Sequence, residues 1–271
     1  MSQNTQQDHI SKKRVVLTMP GAEAVIVRRD EQYRVTDAGA LTMDLYYPPD
    51  SKRGARAPAV VFATGFSDVE AQKMLGCMLK EMGSYVSWGL LTAASGLVAI
   101  TYTNREPAKD VHAVLQHLRQ NAKSLDIDES RVGVWACSGN VPTALSVLMQ
   151  DAPDHLKCAV LCYGYMFDSD GSTAVADAAR RWGFVNPCAG KSADDLRRDI
   201  PLFIARAGQD QMPGLNDTLD RFLVKALASN LPISFVNHPE APHAFDLFHD
   251  SETSRGIISR ILAFLQSHLL A

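Results

Sequence analysis

Ser138 stands at an abrupt change of sequence pattern. Val132 to Trp135 is a short apolar run rich in β-forming residues, and small residues follow it directly. Val141 to Gln150 then reads as a helix, with Leu145, Leu148 and Met149 on its apolar face. A buried strand that turns at once into a helix forces its corner residue into strained backbone angles and holds it clear of the sheet. The peptide N–H groups at the helix start favour negative charge, which is what an attacked ester carbonyl develops. A serine hydroxyl is a weak nucleophile near neutral pH. It needs a base within hydrogen-bond reach, and the base needs a carboxylate to fix its tautomer and favour its protonated form.

The run Ala136-Cys137-Ser138-Gly139-Asn140 resembles the nucleophile elbow of the α/β-hydrolase superfamily, Gly-x-Ser-x-Gly, with Ala136 and Asn140 at the outer positions. Ala136 is nearly as small as glycine. Asn140 is the larger departure, because that position lies where helix packs on strand. A second frame makes Cys137 the nucleophile, as in the dienelactone hydrolase branch with its Gly-x-Cys-x-Gly. That frame keeps Gly139 but puts Trp135 at a position that calls for a small residue, so Ser138 is preferred.

The resemblance implies a chain order of nucleophile, acid and histidine, each at the C-terminal end of a strand. Asp210, in Arg206-Ala207-Gly208-Gln209-Asp210, resembles the acid loop, with a glycine two residues ahead for the turn. His243, in Pro242-His243-Ala244-Phe245, resembles the histidine loop of dienelactone hydrolase-like proteins. Asp168 is the rival acid, and His238 and His249 are the rival bases. The oxyanion hole is expected from the backbone N–H groups of Gly139 and Phe66, since Thr64-Gly65-Phe66 takes the place of the family's His-Gly-x turn. Thr64 replaces the usual His there. The stretch Tyr102 to Pro107, followed by Asp110, faintly resembles the corresponding loop of hormone-sensitive lipase-like esterases.

The elements that must carry these residues alternate strand with helix. Ala59–Ala63 is a continuous apolar run that reads as a strand covered on both faces, Leu97–Thr101 reads as another buried strand, and Cys158–Tyr163, Pro201–Ala207 and Ile233–Asn237 read as further strands. Helices are expected in two pieces over Val69–Ser95, split near Gly83, and over Pro107–Leu125, Asn216–Ala228 and Ser254–Leu270. Short strands are expected at Val15–Thr18, Ala24–Arg28, Tyr33–Val35 and Leu41–Tyr47, the last two paired across Asp37-Ala38-Gly39. The alternation gives an α/β class with a mainly parallel sheet and antiparallel N-terminal edge strands, and the resemblance implies a three-layer α/β-hydrolase fold with a short cap insert at about 164–199. Residues 1–13 are read as a disordered tail and 14–271 as a single domain. Met166, Trp182 and Phe184 of the insert, with Phe167, are candidates to line a substrate pocket. Arg180-Arg181 is a candidate for a substrate carboxylate, although a solvated helix face is the plainer reading.

Composition sets bounds. The net charge of -3 over 271 residues gives no basis for binding nucleic acid or an anionic membrane surface. No apolar run is long enough to span a bilayer. Five cysteines without a CxxC pair or zinc-like spacing read as reduced thiols in a cytoplasmic protein, with no metal and no cofactor. The expected partner is a small-molecule ester. The oligomeric state is left open, a homodimer included. Three functional readings follow: a carboxylic ester hydrolase, which is preferred; an amidase or peptidase on the same residues; and a catalytically silent scaffold that binds a ligand.

Overall fold

The structure is a computed structural model that describes residues 9–151 and 154–271. Eight strands form one sheet: β1 (Ile26–Thr36), β2 (Gly39–Tyr47), β3 (Ala57–Phe62), β4 (Val98–Tyr102), β5 (Ile127–Cys137), β6 (Leu156–Cys162), β7 (Leu202–Ala207) and β8 (Ile233–His238). Their spatial order is β1-β2-β4-β3-β5-β6-β7-β8. From β4 to β8 every neighbouring pair is parallel, and β2 runs antiparallel to both β1 and β4. The β1–β2 hairpin is thus the expected antiparallel edge. A parallel sheet needs helical crossovers that cover both faces.

The helices are α1 (Asp68–Leu75), α2 (Gly83–Ala94), α3 (Pro107–Asn121), α4 (Val141–Ser146), α5 (Ala174–Trp182), α6 (Leu215–Ala228), α7 (Phe245–Phe248) and α8 (Glu252–Leu269). One face of the sheet packs against Val111, Val114 and Leu118 of α3, Leu145 of α4 and Phe222 of α6. The other packs against Trp88 and Leu91 of α2 and Ile258, Ile261 and Leu265 of α8. The period-two alternation of strand side chains feeds both layers: Val132, Val134 and Ala136 point to the first core and Trp135 to the second. No helix among the described residues is long and apolar enough to cross a membrane.

Three local expectations need correction. Val15–Thr18 forms no strand; it is an irregular segment held against the body, with Val16 N–H donating to Asp246 O at 2.8 Å and Val15 N–H donating to Ser87 Oγ at 3.0 Å. Ile26–Arg28 and Tyr33–Val35 are not separate strands but parts of β1, which runs through irregular register around Asp30 (φ 56°), while Ala24 ends a 3-10 turn. The helix expected over Val141–Gln150 stops at Ser146, because Met149 leaves to form a bridge with Leu196. Of the lead-in at 1–13, residues 1–8 lie outside the described residues, and Ile10–Lys12 forms a 3-10 turn.

Candidate active site

β5 ends in extended geometry at Cys137, and Ser138 turns sharply with φ of 54° before the 3-10 turn Ser138–Asn140 leads into α4. A non-glycine residue in the left-handed region is strained, and such strain collects at functional corners. Ser138 thereby presents its hydroxyl above the C-terminal edge of the sheet.

Asp210 and His243 arrive there from two neighbouring strand ends. Gly208 N–H donates to His238 O at 2.8 Å and Gln209 N–H to Ala241 O at 2.8 Å, so the loops after β7 and β8 are bonded backbone to backbone. A Cβ on Gly208 would lie 2.5 Å from Pro239 O, which explains the glycine two residues before the acid. Asp210 Oδ1 accepts from Met212 N–H at 2.8 Å, and Oδ2 lies 2.6 Å from His243 Nδ1. The Asp210 side chain is fully buried and that of His243 is 27 % exposed. His243 Nε2 lies 2.9 Å from Ser138 Oγ. A carboxylate can only accept, so Nδ1 carries the proton toward Asp210 and Nε2 is left to accept from the serine hydroxyl. Tyr163 stands edge-on to the imidazole, ring centroids 5.2 Å apart, and fixes its plane from the side.

The Thr64–Phe66 loop after β3 abuts this corner. A Cβ on Gly65 would fall 2.4 Å from Gly139 O, so the two loops touch backbone to backbone. Asn140 is built into the contact: its Oδ1 accepts from Gly65 N–H at 2.7 Å and its Nδ2 donates to Tyr85 OH at 3.1 Å. Asn104 braces the loop from the other side. Its Nδ2 donates to both Thr64 Oγ1 and Phe66 O at 3.0 Å. Asp68 Oδ2 holds Asn104 in turn by accepting its N–H at 2.8 Å. Burial raises the Asp68 carboxyl to about 6. Phe66 and Gly139 thus sit side by side next to Ser138.

The rivals fall elsewhere. Asp168 accepts from Val175 N–H and Ala176 N–H at 2.8 and 3.0 Å and caps the start of α5. His238 is buried with Nε2 3.1 Å from Ser254 Oγ, and His249 Nδ1 lies 3.3 Å from the same His238 nitrogen. Cys137 neighbours Ser138, but burial pushes its thiol up to about 12, which keeps it protonated and unreactive near neutral pH.

Among the pocket candidates, Trp182 and Phe184 line the cavity beside Ser138 and Met166 does not. Met166 is fully buried in the opposite core, as is Phe167, whose ring lies 5.8 Å from Phe222. The chain leaving β6 crosses to the α6 side before α5 brings the insert back. Arg180 pairs with Asp177, and Arg181 lies over the Trp182 ring at 5.2 Å; neither lines that cavity. The insert is tied to the Thr64–Phe66 loop by Val185 N–H donating to Gly65 O at 2.8 Å and by Phe184 packed edge-on to Phe66. Asn140, Asn104 and Asp246 had no recognised role in the sequence. The one signal was Asn140 itself, a polar residue at a crowded crossing, which must be bonded if it is buried.

No family model and no curated protein matches the chain. Solved structures do. An esterase from the Planctomycetes species Thermogutta terrifontis, Est2, superposes with a TM-score of 0.64 at 19% identity, over 92% of this chain and 94% of that one. The same esterase phosphonylated by sarin gives 0.65 at 17% identity, over 93% and 96%. A serine-to-alanine mutant of LAE6, an α/β hydrolase enzyme from the metagenome of Lake Arreo in Spain, gives 0.69 at 18% identity, over 93% and 87%. The chain has the α/β-hydrolase fold. Within that fold, Ser138, Asp210 and His243 follow the C-terminal ends of β5, β7 and β8. Among the described residues, no three His, Cys, Asp or Glu side chains converge as metal ligands.

Proposed function

We propose that the protein is a serine hydrolase that cleaves carboxylic esters, of dienelactone hydrolase-like type but with serine as its nucleophile. The observation that carries this reading is the unbroken relay from Ser138 Oγ through His243 to Asp210, with links of 2.9 and 2.6 Å. Catalytic hydrogen bonds are expected at these lengths.

Ser138 Oγ attacks the ester carbonyl carbon while His243 Nε2 takes the hydroxyl proton. The backbone N–H groups of Gly139 and Phe66 stabilise the oxyanion. His243 then gives its proton to the alkoxide as the C–O bond breaks, and the alcohol departs. Water repeats the sequence on the acyl-enzyme, giving a carboxylic acid and free Ser138. Asp210 holds His243 in one tautomer and favours the imidazolium. The insert at 164–199 serves as a cap that closes one side of the pocket. The reaction draws on side chains and backbone of this chain alone. The organophosphate adducts of the structurally similar Est2, and its complexes with propionate and butyrate, suit a comparable chemistry here. Five free cysteines fit a reducing, cytoplasmic setting.

A fluorophosphonate probe tests the reading. It should label Ser138, and Ser138→Ala should abolish labelling and lower ester turnover by about six orders of magnitude if the three residues act as a unit. An unlabelled Ser138 in the folded protein would sink it and leave a ligand-binding scaffold.

A further inference from the structure

The cavity beside Ser138 has a volume of about 390 Å³. That is more than twice the roughly 150 Å³ of an engineered apolar cavity that takes up benzene. It runs from an exposed rim to a buried floor. Met74 and Phe248 at the rim are 42% and 48% exposed, whereas Trp88 and Trp135 at the floor are 1% and 2% exposed. Leu79 and Met82 line it between, both nearly buried.

We infer that this cavity holds the acyl half of the ester, and that the acyl group is an uncharged apolar chain longer than butyryl. The inference rests on the serine-esterase reading. After the first step the acyl group stays on Ser138 Oγ, while the alcohol must leave and water must enter. The half that leaves first needs the open rim, and the half that stays suits the closed floor. Burial of an apolar chain there lowers its free energy in proportion to the area removed from water.

The acidic group of the floor is already engaged, while the indole N–H groups of Trp135 and Trp182 are buried without a hydrogen-bond partner among the described residues. Asp246 Oδ1 accepts from Tyr163 OH at 2.6 Å and Oδ2 from Trp88 Nε1 at 2.8 Å. No Lys or Arg lines the cavity among the described residues. A carboxylate at the end of an acyl chain would lose its hydration beside the buried Asp246 and meet no cation. Arg181 cannot receive it, because that side chain lines a separate small cavity beyond Trp182.

The test is a series of nitrophenyl esters from acetyl to dodecanoyl on the full chain. kcat/KM should rise by about three- to four-fold per added methylene from acetyl to octanoyl. A hexanoyl ester should exceed the adipoyl half-ester, which ends in a carboxylate, by about a hundredfold. Ser84 lines the cavity from the start of α2. Ser84→Leu should depress octanoyl turnover at least tenfold more than acetyl turnover, and Leu79→Ala should move the optimum to longer chains. A profile that is highest at acetyl and falls by butyryl, in protein whose Ser138 takes the fluorophosphonate probe, overturns this inference and leaves the serine-esterase reading intact. An acyl-length profile unmoved by both variants overturns the assignment of the cavity to the acyl half. Absence of probe labelling sinks the underlying reading instead.

Discussion

Asn140 Oδ1 accepts the Gly65 N–H at 2.7 Å, joining the loop that follows the nucleophile strand to the loop that supplies Phe66. The family pattern has glycine at this position, which could offer no such bond. The departure from the pattern is therefore a built part of the site: the side chain that fills the crossing also fixes the spacing of Gly139 and Phe66.

Replacing Asn140 by glycine should reduce both stability and rate. It strands the buried Gly65 N–H and takes a donor from Tyr85 OH. Leaving one buried donor unpaired costs about 1–3 kcal/mol. Thermal unfolding should shift accordingly, and steady-state kinetics should show a lower kcat with KM little changed, because the oxyanion forms only along the reaction path. An unchanged kcat would show that the brace has no bearing on the reaction.

Gly65→Ala attacks the same contact from the other side. Its methyl would meet Gly139 O and must push the two loops apart. A displacement near 1 Å at reacting groups costs on the order of a hundredfold in rate. Assays on the purified variant should find that loss with fluorophosphonate labelling slowed in parallel.

Asp210→Asn keeps the shape of the acid loop but presents an amide to His243 Nδ1. The histidine can then settle in the wrong tautomer, with the proton on Nε2 facing Ser138. A fall in kcat of about ten-thousandfold is expected from the comparable change in other serine hydrolases. A variant within tenfold of the natural protein would remove Asp210 from the relay.

Cys137→Ala distinguishes the two nucleophile frames directly. The half-buried Cys137 thiol, pushed up to about 12, holds its proton at assay pH. Ester turnover should survive the substitution, and iodoacetamide at pH 8 should leave the natural protein active. Loss of activity with retained folding would return Cys137 to consideration.

Asp68 gives a pH signature of stability. Its carboxyl is at about 6 in the folded protein against 3.8 for the ordinary group, because burial disfavours its charged form. Between those values the native state holds the proton more tightly than the unfolded state. This group's contribution to stability is therefore fullest below pH 4 and falls as pH rises to about 6. Unfolding midpoints measured across that window should lose this component of the slope in Asp68→Asn. An identical slope in both proteins would show that Asp68 does not titrate there.

Much of this architecture could be read in the sequence because it is local. The apolar run Ala59–Ala63 reads as a strand covered on both faces, and the small residues around Ser138 suit a tight corner. Asp210 and His243 were legible through their loops. The same local reasoning failed where distant segments compete for a residue: Val15–Thr18 has β-forming composition but is held by Asp246 and Ser87, and Met149 leaves its helix for Leu196.

The sequence by itself determined the layered sheet, the corner at Ser138 and the order of serine, aspartate and histidine along the chain. These follow from residue periodicity and turn chemistry, which act over a few neighbours. Only the tertiary structure decided that Met166 turns away from the cavity, that Trp88 and Trp135 floor it, and that Asn140 and Asn104 clamp the Thr64–Phe66 loop. Those outcomes depend on which side chains meet across separations of tens to more than a hundred residues, and burial and hydrogen-bond satisfaction settle that only once the whole chain has packed.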